Sequence, residues 1–182
     1  MITEIEEPRR ELSLADGLAE ADVVRVHHEA LRVLRDDIED AHLDAYSDLP
    51  WPQEVIPAYA RARALAPAGG GAGGRRARAA DTGMGIDIDV RDDERFAVLL
   101  ALAPFTIHAE AWARGRLVLS AGDTGTSLWI AVTARQEADL MARLDALGVP
   151  RAALTSRPRR RRPLVARLVA GAVARLRAVR RG

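Results

Sequence analysis

A carboxylate beside a hydroxyl in a tight, glycine-flanked turn can hold or pass a proton. This 182-residue chain carries such a pair in the stretch SAGDTGTSLWIAV, Ser120 to Val132. A second Asp-Thr-Gly stands at Asp81, Thr82 and Gly83. Glu39-x-x-His42 would, on a helix, set a carboxylate and an imidazole one turn apart, which is one half of a carboxylate-bridged di-iron site. Gly69 to Gly74, GGGAGG, satisfies the phosphate-cradling pattern G-x-G-x-x-G. His27, His28 and His108 show no spacing that marks them as ligands or bases. There is no Cys, which excludes disulfides, thiolate metal sites and thiol nucleophiles.

Asp123-Thr124-Gly125 resembles the catalytic loop of pepsin-like and retroviral aspartic proteases. The resemblance implies two facing loops whose carboxylates share one proton and activate a water. The flanks depart from that pattern. In the family the Asp directly follows an apolar strand, whereas Asp123 follows Ser120-Ala121-Gly122, and Asp81 follows a Gly/Arg-rich stretch. A Gly-Asp-Thr-Gly loop between two strands is what a plain hairpin needs, because Asp and Gly tolerate unusual dihedrals. The Gly run lacks the preceding strand that dinucleotide binding requires, and reads as a linker. Glu39-x-x-His42 has no second copy, and one helix cannot surround a metal; it reads as part of a solvated acidic face. No base, nucleophile and orienting group assemble from these residues. The expectation is a non-enzymatic protein with no catalytic, cofactor or metal site, and an aspartic-protease-like enzyme stands last among the alternatives.

The elements that must position these residues are legible by pattern. Ser13 to Tyr46 reads as one long helix, with Ser13 as N-cap and Val24, Leu31, Ile38 and Ala45 recurring every seven residues, interrupted by His27. The prolines of "DLPWPQEVIP" end it, and Tyr59 to Leu65 is a short helical turn. "GIDIDV" alternates as a half-exposed strand, and so does "FTIHAEAWA", with Phe105, Ile107, Ala109 and Ala111 on one face. "RFAVLLALAP", around 95–103, is a strand or a helix by periodicity. "GRLVLSA" and "TSLWIAVT" are strands flanking the Asp123 turn. Thr133 and Gln136 form a capping box for a helix carrying Leu140, Met141, Leu144 and Leu147, stopped by Gly148 and Pro150. The expected fold is α+β: a small antiparallel sheet of three to five strands covered by that C-terminal helix, preceded by the long N-terminal helix. The organisation expected is an acidic helical segment 1–66, a Gly/Arg-rich linker 67–83, an α+β domain 84–150, and an Arg-rich arm with amphipathic helix 151–182.

Charge carries the functional expectation. All 27 basic residues are Arg, against 26 acidic ones, so the near-neutral total conceals polarity along the chain. Residues 1–60 hold 15 acids and 5 Arg, whereas residues 151–182 hold 11 Arg and no acid. Within that tail, Arg157, Arg159, Arg160, Arg161 and Arg162 form an arm. Arg167, Arg175, Arg177, Arg180 and Arg181 ride on a following amphipathic helix with Leu164, Leu168 and Leu176 on its apolar face. These ten arginines are the expected binding residues. The leading reading is a binding or adaptor protein whose tail engages an acidic protein surface, an anionic membrane or nucleic acid. A sequence-independent nucleic-acid-binding protein is the runner-up. An intramolecular contact with the acidic N-terminal helix, and a homo-oligomer through that helix, are further expectations. The start MITEIEEPRR is acidic with no apolar leader, and no apolar run is long enough for a membrane span. The expected location is cytoplasmic.

Overall fold

The computed structural model describes residues 7–65 and 83–156. Its centre is one seven-stranded antiparallel sheet, not a sheet of three to five strands. The strands are β1 (Arg10–Leu14), β2 (Asp40–Leu43), β3 (Ile86–Ile88), β4 (His108–Ala113), β5 (Arg116–Gly122), β6 (Ser127–Val132) and β7 (Leu154–Ser156), in the spatial order β3-β2-β4-β5-β6-β1-β7. Among the described residues four helices, α1 (Glu20–Leu34), α2 (Ile56–Leu65), α3 (Asp93–Leu102) and α4 (Ala134–Ala146), cover one face of it. The two edge strands have three residues each, which limits the length of unpaired backbone on offer.

The long helix from Ser13 to Tyr46 does not form. Ser13 lies in β1, paired with Trp129 of β6 and Thr155 of β7, and Gly17 turns the chain at φ 77°. Helix α1 spans only Glu20–Leu34, followed by a 3-10 turn over Arg35–Asp37 and then β2. Burial decides the matter: Ala41 and Leu43 face the core while Asp40 and His42 face outward, a period of two that a helix cannot satisfy. The heptad stripe is divided among elements, with Leu31 in α1 and Ile38 and Ala45 outside it, all three buried in the chain's own core. The segment expected to stand apart therefore supplies two strands of the same sheet.

The ambiguous run at 95–103 is helical. Asp92 caps α3 by accepting from the backbone N–H of Glu94 at 2.9 Å and of Arg95 at 3.1 Å, and Asp93 and Glu94 suit the positive end of the helix. Phe96, Leu99 and Leu102 then pack inward. Arg35 ties α1 to α3, donating to Val90 O at 2.9 Å and Asp93 Oδ1 at 2.5 Å while lying 4.3 Å from the Phe96 ring centroid. The Thr133 capping box is present with both bonds, and Leu140 and Leu144 of α4 are buried, although Leu147 is exposed. Strand β4 begins later than its alternation suggests: Ile107 is exposed, and the inward residues are Ala109, Ala111 and Ala113. Small inward residues on this central strand let the large aliphatic side chains of the helices approach the sheet.

Candidate functional site on the sheet face away from the described helices

The register places one continuous row of side chains across all seven strands on the face away from the helices. In order the row runs Asp87, His42, Glu110, Ser120, Trp129, Ser13 and Thr155, each the direct cross-strand partner of the next. None of the seven is buried, whereas their strand neighbours Ile88, Leu43, Ala111, Leu119 and Ile130 are. A second row sets Asp40 opposite Trp112 and Trp112 opposite Leu117. The face is thus amphipathic: two tryptophans, two histidines and the acids Asp40, Asp87 and Glu110.

The histidines converge. His42 on β2 faces Glu110 on β4, and His108 lies two residues before Glu110, so all three project to the same side. His42 Nε2 and His108 Nε2 stand 3.9 Å and 3.8 Å from the same carboxylate oxygen, Glu110 Oε2. Trp112 lies against His42 with ring centroids 4.9 Å apart, and the His42 and His108 rings are 5.1 Å apart. Among the described residues this is the group of histidine and carboxylate side chains whose donor atoms approach closely enough for one metal ion, all within 4.8 Å of one another.

His27 and His28, in α1, are of a different kind. His27 is 1% exposed; its Nδ1 meets Val23 O at 2.8 Å, and its Nε2 is buried with no partner. Burial pushes its pKa down from 6.5 to about 4. Desolvation, and then Arg32, also lower that of His28, whose Nε2 is likewise buried without a partner. Glu29, beside them, is buried but paired with Arg32 and with Arg143 of α4, the latter at 3.6 Å. His27 is thus enclosed in the core, and His28 is half-buried on the same helix.

The remaining sequence candidates separate. Asp123 is exposed in the β5–β6 loop, where Asp123, Thr124 and Gly125 hold φ of 52°, 54° and 89°. The loop is anchored by backbone bonds from Asp123 N to Ile107 O at 3.4 Å and from Thr124 N to Thr106 O at 3.0 Å. It is a hairpin loop, as its small flanking residues imply. Glu39 is not beside His42: on an extended chain residues three apart point to opposite sides, and Glu39 Oε2 accepts from Arg114 N at 2.8 Å. Of the N-terminal acids, Asp37 is engaged by Arg9 at 2.5 Å and by Gln136 at 3.0 Å, and Asp44 is buried, accepting from Gly85 N at 2.6 Å. The ten arginines from Arg157 to Arg181, the Gly69–Gly74 run and Asp81 lie outside the described residues.

Sequence reasoning passed over the His42, His108 and Glu110 group. Its legible half is His108-x-Glu110 in an alternating strand. Its other half depends on β2 pairing with β4 across more than sixty intervening positions, and a helical assignment for residues 13–46 hides it. Near the other end of the face, Glu11, Arg116, Leu117, Trp129 and Ser156 line an open depression. The last described residue, Ser156, is exposed there at the edge strand from which the Arg-rich tail departs. Among the described residues no helix is long and apolar enough to cross a membrane. No family model, no curated protein and no solved structure matches this chain.

Proposed function

We propose that the protein is a non-enzymatic binding or adaptor protein whose C-terminal segment 157–182 engages a polyanionic partner. The observation that carries this reading is the concentration of 11 Arg without one acid in residues 151–182, immediately beyond an edge strand. Two structural facts support it. Among the described residues, apolar side chains from Leu12 to Leu154 already form one continuous buried core. The described residues also end at the periphery of the sheet, at the exposed Ser156 of the edge strand β7. Guanidinium groups arrayed in this way neutralise successive phosphates and release their counterions, an affinity that is independent of sequence and sensitive to salt.

The chain's own acids compete for the same arm. Asp44 is buried and bonded to Gly85 N, and Asp37 is paired with Arg9, whereas Asp36 and Asp40 are exposed and can act in this way without loss of structure. The test compares the full chain with a chain ending at Ser156 on nonspecific duplex DNA and on anionic vesicles at low salt. The full chain should bind DNA, with the logarithm of affinity falling linearly with the logarithm of salt. The shortened chain should stay folded and not bind. Replacing Arg159, Arg160, Arg161 and Arg162 with Gln should flatten the slope by up to about four. Equal binding by the shortened chain, or binding of neither probe by the full chain, refutes the proposal; vesicle binding alone would make the polyanion a membrane surface.

A further inference from the structure

We propose that His42, His108 and Glu110 form a binding site for a divalent transition-metal ion of the Zn2+ class on the sheet face away from the described helices. The frame is rigid backbone. Residues 108 and 110 are two apart on β4 and share one side, and His42 is held opposite Glu110 by the β2–β4 ladder. Two imidazoles and a carboxylate thereby reach one point from two central strands.

The distances fit. Metal bonds of about 2.0–2.1 Å require tetrahedral donors about 3.3 Å apart. The observed separations are 3.9 Å and 3.8 Å from the shared Glu110 oxygen, with all donors within 4.8 Å. Closing the difference takes small torsions of side chains that are 18%, 43% and 24% exposed for His42, His108 and Glu110, and so retain room to move. Trp112 against one side of His42 limits the positions that ring can take, and thus the entropy lost on binding.

The charge fits as well. Asp87 is the direct cross-strand partner of His42, and Asp40 lies two residues before it on the same side, so two further acids flank a site that already contains Glu110. That surrounding potential favours a cation. The donor set selects which one: imidazole nitrogen with a single carboxylate suits Zn2+, Co2+, Ni2+ or Cu2+, whereas Mg2+ and Ca2+ prefer oxygen alone. Three protein ligands leave at least one coordination position to water. Of the four histidines in the chain, His27 and His28 lie in α1 and play no part.

The experiment uses the full chain without an affinity tag, stripped with a chelator, and titrated with Zn2+ at about pH 7.5 by calorimetry and by competition with a chromophoric chelator. The expected result is one equivalent bound with micromolar or tighter affinity, undisturbed by excess Mg2+ and weakened on acidification as protons compete for the imidazoles. His108→Gln and Glu110→Gln should each weaken binding by at least about tenfold, since even outer-shell partners of metal ligands are worth that much. Co2+ should quench Trp fluorescence in the parent chain, and less in Trp112→Phe. His108 is the most exposed of the three, so His108→Gln tests the site even if the His42 variant folds poorly. Absence of saturable Zn2+ binding, or unchanged affinity and stoichiometry in folded His108→Gln and Glu110→Gln, overturns the proposal. No variant in this test alters a residue beyond Ser156 and no polyanion is added, so its failure is distinguishable from failure of the tail proposal.

Discussion

Replacing His27 with Leu should reduce this protein's sensitivity to mild acid. His27 is 1% exposed and its Nε2 has no partner, so the folded state holds the ring neutral, with its pKa pushed down by burial from 6.5 to about 4. An unfolded chain takes up that proton below about pH 6.5, and the folded chain does so only near pH 4. Stability from this group is therefore complete above about pH 6.5 and is lost as the pH falls toward about 4. At 1.36 kcal/mol per decade of pKa difference, the loss is about 2 kcal/mol at pH 5 and about 3 kcal/mol at pH 4. Against the 5–15 kcal/mol typical of a domain, this is a substantial fraction. Leu fills similar space, removes the titrating ring and removes a buried nitrogen without a partner, at the cost of the contact with Val23 O. Urea unfolding followed by far-ultraviolet circular dichroism, at steps from pH 7.5 to pH 4.5, measures both chains. The two stability curves should converge toward, or cross in favour of, the variant as the pH falls. A residual slope of the same sign is expected from His28, whose pKa burial also lowers. Parallel curves for parent and His27→Leu would refute the reasoning.

Other substitutions test single features of the fold. Gly125→Ala should cost on the order of 3 kcal/mol, because a Cβ there would sit 2.2 Å from Pro104 O at φ +89°; an unchanged melting temperature would show that the loop yields. Asp123→Asn should change stability by less than about 0.5 kcal/mol, since Asn accepts the left-handed conformation that Asp123 holds at φ 52°. Peptide cleavage sensitive to pepstatin and abolished by that change would restore the protease reading. Thr133→Ala should cost about 1 kcal/mol in chemical denaturation through loss of the α4 cap, with Gln136→Ala non-additive because the two bonds form one box.

Local chemistry was enough to read some elements. The capping box at Thr133 and Gln136, the alternation of GIDIDV, the turn at Asp123 and the strands around it each depend on residues a few positions apart, and each is seen in the structure. The charge polarity is likewise a property of sequence alone. Where two local periods competed, the sequence could not arbitrate. Val24, Leu31, Ile38 and Ala45 satisfy a helical repeat, yet Ala41, Leu43 and Ala45 satisfy a strand repeat over the same stretch, and β2 forms because β3 and β4 wait on either side of it. The size of the sheet was hidden for the same reason: β1 is a strand through its pairing with β6 and β7, from distant parts of the chain. The cluster of His42, His108 and Glu110 is the sharpest case. Nothing in a strand of alternating Ala and polar residues distinguishes a solvated His-x-Glu from two ligands awaiting a third. Only the antiparallel register, fixed by burying Ala41, Leu43, Ala109 and Ala111 against the helices, turns His42 to the same side and sets it opposite Glu110.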